Sequence, residues 1–326
     1  MAELFLTEDK GLRPAGKIPG GKWYLHARII KLMRPHDTFD EPCVGMGSVC
    51  NNKNPAPLGD FVNDAHPPTF ALWECICNRN LFPRFYDSIA KMKYDGMHFA
   101  AAQQALAMLS KDPDAIADLH RHTPTKFVQL AVAYYCVVRM SRGGMGVSFA
   151  WSDRLRGGRP GDVNAWETAV KVGLPALHAR HSGAYGSGRT GVSCGPWLSP
   201  WQARGENHKA LFYFDPPYLV DDYADLQQLD AATAIQSEKK IRLAGQYECE
   251  MPDAEHGKIL RAIVNAPCMV MISGYDSALY RSVLQSKRAV DRGWRRLEFE
   301  LPNNASQEAT KERRVEIVWL NFEPAE

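Results

Sequence analysis

The pattern of apolar and polar positions divides the chain into strand-like runs near both ends and a helical stretch between them. An apolar run over residues 38–44 leads into Gly45-Met46-Gly47-Ser48, and a second strand over 58–63 ends at Asp64. Residues 70–77 predict a buried helix started by Pro67 and Pro68, since proline is tolerated where the first helical N–H groups have no partner. From residue 95 to 140 the spacing is helical, most clearly over 100–109 and 127–140. Twelve of the 25 glycines lie between 143 and 195, which predicts loops with little regular structure. Strand-like runs return at 211–214, 268–273, 296–301 and 315–321, and the last two flank a polar loop as a hairpin would. Residues 220–245, after a strand end, read as a long loop, which beside such an end is more often a functional cover than a connector. The expected architecture is one α/β sheet interrupted by a mostly helical, glycine-rich insertion.

Composition narrows the class without naming it. The 326 residues are 45% apolar and 23% charged, an ordinary globular balance long enough to bury a core. Nothing approaches the ~18 consecutive apolar residues of a membrane helix. The first residues carry acids and no apolar leader core, so a cytoplasmic, non-membrane protein is expected. The eight cysteines form no C-x-x-C pair, and the Cys75/Cys77 spacing is not that of a common zinc site, so reduced thiols are expected. No metal is expected.

Charge changes the picture more. The net charge of +2 hides a stretch from Arg121 to Lys209 with twelve Lys/Arg against four acids, a local +8 that leaves −6 elsewhere. Segregation of this kind points the basic segment toward a polyanion, although a solvated basic surface has the same composition. Arg139 and Arg142 enter the glycine-rich loops as candidate DNA contacts, or as ordinary cations at a helix C-terminus, which the helix dipole favours. Arg154 and Arg156 are further candidates. His178 and His181 in the same stretch are expected as surface or phosphate-side groups rather than ligands.

Two motifs carry candidate chemistry. Gly45 and Gly47 follow a strand, and Asp64 stands 19 residues after Gly45 at the end of the next strand. Glycines let a backbone approach a nucleotide-type ligand and the acid accepts from ribose hydroxyls, while a plain structural turn would explain the same residues. The stronger motif is Asp215-Pro216-Pro217-Tyr218 after the apolar run 211–214. At roughly 5% usage per position, a specified tetrapeptide arises in only about two chains per thousand of this length. The prolines stiffen the turn and remove two donors, leaving carbonyls to face a ligand's amino group. Asp215 adds a second acceptor and Tyr218 a flat face, together a pocket for an exocyclic amine on a planar base. The pair Asp221-Asp222 is read as loop acids.

With Asp40-Glu41-Pro42 before the glycines, Gly20-Gly21-Lys22 near the start, Asn63-Asp64, Tyr247 to Met251, Ser273-Gly274-Tyr275 and Glu316 to Asn321, the chain resembles the Dam-type N6-adenine DNA methyltransferases from about residue 17 to 321. The resemblance implies a Rossmann-like methyltransferase sheet formed by residues 1–94 and 205–326, with a mostly helical target-recognition domain inserted over 95–204. It implies S-adenosylmethionine as methyl donor and double-stranded DNA as partner, with a monomer or weak dimer. Carried over by position, it implies that Lys22 meets the donor's carboxylate, that Glu41, Pro42, Gly45 and Gly47 form the turn beneath it, and that Asp64 holds its ribose. Asp215 lies beside both donor and base, Asp215 and the Pro216 carbonyl accept the amine protons, and Tyr218 stacks on the flipped base. Two positions depart from the family pattern: Ile18 stands where an aromatic precedes the lysine by four residues, and Cys43 where an aromatic often follows Glu-Pro. N4-cytosine methylation and a DNA-binding regulator with a decayed donor site are the alternatives.

Overall fold

The structure, a computed structural model, describes residues 11–109, 113–183, 188–219, 251–302 and 313–325. The expected loop over 220–245 with Asp221 and Asp222, and the Tyr247–Glu250 part of the motif set, lie outside the described residues. The chain divides into two compact units at Ser199–Pro200, within a short helix, α9 (Leu198–Arg204).

In the first unit, β1 (Thr38–Glu41), β2 (Asp60–Asp64) and β5 (Gly191–Cys194) lie in the order β5-β2-β1, and both pairings are parallel. All four residues of β1 are buried, including Asp40 and Glu41. After the short α1 (His26–Leu32), α2 (Pro67–Cys77) begins on its two prolines and buries ten of its residues. Helices α3 (Phe82–Ala90), α4 (Gly96–Met108), α5 (Pro113–His122) and α6 (Pro124–Met140) follow. Helix α4 starts at Asp95, whose carboxylate accepts the His98 N–H at 2.8 Å, satisfying one of the orphan donors of the first turn. Helix α6 carries the core: Phe127, Leu130, Ala131, Tyr135 and Met140 are inaccessible, and α2, α3, α4 and α5 pack around it.

The glycine-rich stretch departs from its expectation. It holds a two-residue-per-strand hairpin, β3 (Leu155–Arg156) with β4 (Arg159–Pro160), and then α7 (Gly161–Thr168), a π-turn (Ala169–Gly173) and α8 (Leu174–His181). Its glycines cluster before 161 and after 182, so the stretch between reads helically at Trp166, Val170, Leu174 and Leu177, all buried. The same stretch supplies β5, whose register sets Gly191 beside Phe61; a Cβ there would lie 2.6 Å from the Phe61 ring. Residues 95–194 therefore share a sheet and a core with residues 11–94: β5 pairs with β2, and α6 and α8 pack on α2.

In the second unit, β6 (Ala210–Phe214) and β7 (Met269–Gly274) are parallel, with α10 (Asp253–Ile263) before β7 and α11 (Ala278–Leu284) and α12 (Lys287–Asp291) after it. The expected terminal hairpin is present as β8 (Arg295–Pro302) and β9 (Arg313–Leu320), paired from Arg295↔Leu320 to Pro302↔Arg313. The order β6-β7-β9-β8 inserts the last strand antiparallel between β7 and β8. Both units are α/β with parallel strands apart from this hairpin and the small β3–β4 pair. Among the described residues no helix is long and apolar enough to cross a membrane.

Candidate functional site

In open α/β sheets, ligands bind where loops leave the carboxyl ends of parallel strands. In the first unit those ends are Glu41, Asp64 and Cys194, and a hydrogen-bond web ties them together. The Asn63 amide donates to the Pro42 carbonyl at 3.0 Å and the Gly195 carbonyl at 2.9 Å, and receives Ser193 Oγ at 2.8 Å. Gly45 and Gly47 both have left-handed backbones, φ +50° and +62°, a conformation that costs other residues a clash of Cβ with the carbonyl. Packing adds a second constraint: a Cβ on Gly45 would lie 2.5 Å from Ile18 Cδ1, and one on Gly47 would enter the Trp73 ring. Trp73 Nε1 donates to the Gly45 carbonyl at 2.8 Å, fastening the turn to α2.

Asp64 accepts the Gly45 N–H on Oδ2 at 2.8 Å and the His66 N–H on Oδ1 at 2.9 Å. A carboxylate has about four lone-pair positions, so these contacts orient it and leave acceptor capacity for a hydroxyl. Burial raises its pKa, and the two amides only partly oppose that. Glu41 is buried and accepts the Cys50 N–H at 3.1 Å. Lys22, only 4% exposed on a short 3-10 turn, donates from Nζ to the Gly20 carbonyl at 2.8 Å. Ile18, half-buried, packs on the glycine turn, and Cys43 is half-buried beside it in sequence. The acids, the glycine turn and the buried ammonium suit a ligand with hydroxyls and a carboxylate.

In the second unit, β6 delivers Asp215. Ser273 Oγ donates to Asp215 Oδ1 at 2.8 Å, and Tyr213 OH lies 2.9 Å from Ser273 Oγ. Pro216 is buried and Pro217 half-buried. The Tyr218 hydroxyl donates to the Glu316 carboxylate on β9, and its ring packs on Tyr275 with centroids 4.3 Å apart. Burial, followed by Asp215 and Glu316, pushes the Tyr218 phenol well above its usual pKa, so it stays a neutral donor. Behind the turn, burial pushes the His256 pKa down to about 4 against the opposing pull of the Pro217 carbonyl, and its Nδ1 lies 2.9 Å from Tyr280 OH. An acceptor, carbonyls and a fixed aromatic plate stand together here, as an amine on a planar ring requires. Glu316, Tyr275, Ser273 and His256 received no role from the sequence. Two of them stand in the Ser273-Gly274-Tyr275 run, whose place at a strand's carboxyl end was the available signal.

The basic residues sort into two groups. Arg142 is exposed on a 3-10 turn (Arg142–Gly144) whose Gly144 packs so tightly on the Lys17 carbonyl that a side chain there would collide with it. Arg154 and Arg156 are exposed on and beside the β3–β4 hairpin, turned by Gly157 and Gly158 at φ +61° and +76°. Met145, Val147, Trp151 and Leu155 are exposed in the same segment. Arg139 donates to the Ala165 carbonyl at 3.2 Å. Other cations are engaged by acids: Arg159 and Lys171 with Glu167, Arg189 with Glu74, and Arg180 with Asp60 at 2.8 Å. Burial raises the Asp60 carboxyl, but Lys53 and then Arg180 outweigh it and hold it below its usual range.

Of the two histidines expected as surface or phosphate-side groups, His181 is buried and His178 half-buried. His181 is fully buried, bonded to Thr190 Oγ1 and Asn51 Oδ1 at 2.9 Å each, and burial pushes its pKa down to about 3. His178 stacks on Phe82 with centroids 3.9 Å apart and meets the Ile76 carbonyl at 2.6 Å. The helical period of α8 turns both toward α2 and α3, which the expectation of a loop there concealed. Among the described residues no three of His, Cys, Asp or Glu gather as a metal site requires. No protein-family model matches the chain, and no curated protein matches it.

Proposed function

We propose that this chain is a DNA adenine N6-methyltransferase with a Rossmann-like methyltransferase sheet, using S-adenosylmethionine as methyl donor. The observation that carries the reading is the Asp215–Tyr218 turn: a carboxylate held by Ser273 and an aromatic ring held by Glu316 and Tyr275, at the end of a fully buried strand. The first unit supports the donor half through Lys22, Glu41, the Gly45–Gly47 turn and Asp64, with Ile18 packed where an aromatic is usual. The exposed Arg142, Arg154 and Arg156 and their apolar neighbours support a DNA-facing surface, with Arg139 beside them and residues 95–204 in the target-recognition role.

The target amine lies inside the duplex, so the base is flipped out and stacked on Tyr218. Its nitrogen lone pair is delocalised into the ring and is a poor nucleophile. Asp215 and the Pro216 carbonyl accept the amine protons, favour a pyramidal nitrogen and aim the lone pair. When bound, the sulfonium would supply an already activated methyl group: as the N–CH3 bond forms the S–CH3 bond breaks, the donor leaves as a neutral thioether, and the methylated nitrogen gives up one proton to solvent. The protein's share is then positioning and electrostatic stabilisation, with no covalent nucleophile. Lys22 neutralises the donor's carboxylate and Asp64 takes its ribose hydroxyls.

The test is methyl transfer from labelled donor to DNA, followed by digestion to nucleosides and mass spectrometry. N6-methyladenine is expected. N4-methylcytosine would change the base, since the same amine pocket serves both, and no incorporation with intact DNA binding would favour a regulator with a decayed donor site.

A further inference from the structure

Strand geometry brings three polar side chains into one line in the second unit. Tyr213 and Asp215 are two residues apart, so the period of two along a strand sends both to one face of the sheet. The parallel register pairs Phe214 with Ile272, and one step further sets Asp215 beside Ser273. Tyr213 and Ser273 are both inaccessible to solvent, and only Asp215 reaches partial exposure. Buried hydroxyls cost free energy unless they are bonded. These are bonded in series, Tyr213 OH to Ser273 Oγ at 2.9 Å and Ser273 Oγ to Asp215 Oδ1 at 2.8 Å.

The series has a direction. An ionised carboxylate can only accept, so Ser273 must give its single proton to Asp215, and its oxygen is then the acceptor for the Tyr213 hydroxyl. A protonated Asp215 would remove the reason for that order. We propose that Ser273, backed by Tyr213, is a positioning residue that holds the Asp215 carboxyl group in one orientation, toward the amine to be methylated. This rests on the methyltransferase reading for its consequence in catalysis, but not for the hydrogen-bond series itself. A hydroxyl anchor set inside the sheet fixes the carboxylate before substrate arrives, which is the preorganisation that an acceptor acting in a transition state requires.

The experiment uses the full chain with Ser273→Ala, Ser273→Thr, Tyr213→Phe and Asp215→Asn. Isotope-edited infrared spectra, with the Asp215→Asn spectrum subtracted, isolate the Asp215 carboxylate without any turnover. Its band should move in Ser273→Ala and return in Ser273→Thr, which keeps the donor. Steady-state kinetics should show kcat falling at least tenfold in Ser273→Ala, with KM for DNA and donor within about twofold, partial recovery in Ser273→Thr, and a smaller loss in Tyr213→Phe. Thermal melting of each variant separates a folding defect from this pattern. An unmoved carboxylate band in Ser273→Ala, or wild-type kcat in that variant, overturns the proposal. A wild-type protein that transfers no methyl group, yet shows the band shift, overturns the methyltransferase reading and leaves the hydrogen-bond series standing.

Discussion

The carboxylate of Asp64 closes on the backbone N–H of Gly45, 19 residues earlier in the chain, at 2.8 Å. The acid that suits a ribose is therefore also the clasp of the glycine turn beneath it. Asp64→Ala should weaken donor binding by about 1.5–3 kcal/mol, the range for hydrogen bonds to a charged group. It should also lower the melting temperature, because two backbone amides lose their acceptor, whereas DNA affinity without donor should hold. Calorimetric titration and thermal melting check both, and unchanged donor affinity would remove Asp64 from the site.

The tie between Tyr218 and Glu316 alters what a mild substitution does. Tyr218→Phe keeps the ring for stacking but takes a donor from a buried carboxylate. A stability loss of about 1–3 kcal/mol is expected with modest change in base binding. Tyr218→Ala should remove stacking as well, worth about 1–3 kcal/mol in other base–aromatic contacts. Glu316→Gln in the Tyr218→Phe background should recover part of the stability, measured by urea unfolding. A Tyr218→Phe protein as stable as wild type would mean the contact contributes nothing.

Much of the fold was legible because its elements follow the simple periods. The run 211–214, the Pro67–Pro68 helix start and the terminal hairpin all stand where apolar spacing and proline chemistry put them. Residues 161–181 were not, because glycines on either side outweighed a helical period carried by Trp166, Val170, Leu174 and Leu177. Strand β5 is only four residues, one of them a glycine tolerated for the sake of Phe61, and local pattern does not reveal pairing with a strand more than a hundred residues away. The candidate site was legible in its motif residues and not in their supports. Ser273 and Glu316 lie on strands remote in sequence and Tyr275 just past the end of β7, and only the sheet register brings them around Asp215 and Tyr218.

Net charge also over-counted the cations available to DNA. Arg142→Ala and Arg156→Ala should each lower the slope of log affinity against log salt by about one if the side chain meets a phosphate, since one fewer counterion is released. A base-reading arginine would instead relax sequence preference and cost about 1–3 kcal/mol. Arg180→Ala should leave the slope untouched and destabilise the fold by about 3 kcal/mol, because the buried Asp60 carboxylate loses one of its two cationic partners. Salt-dependent DNA titration with urea unfolding on the same three proteins separates these outcomes. A lowered slope in Arg180→Ala would show that the Asp60 pair opens to meet DNA.

Acid should destabilise the fold through its buried histidines. His181 and His256 are neutral in the folded chain, with pKa values pushed down to about 3 and about 4 by burial, while an unfolded histidine titrates near its ordinary 6.5. Between those values the unfolded chain binds more protons than the folded one. Stability is therefore fully present above the unfolded value and is lost as pH falls from about 6.5 to about 4 for His256 and to about 3 for His181. Each histidine can contribute a slope of up to about 1.4 kcal/mol per pH unit in that window. Urea midpoints at pH 7 and pH 5 should differ clearly in the wild type. Replacing His181 by Gln removes one titrating group, so the variant should be less stable at pH 7, where Thr190 and Asn51 lose their partner, yet change less with pH. An equally steep pH dependence in the His181→Gln protein would assign the acid sensitivity to other groups.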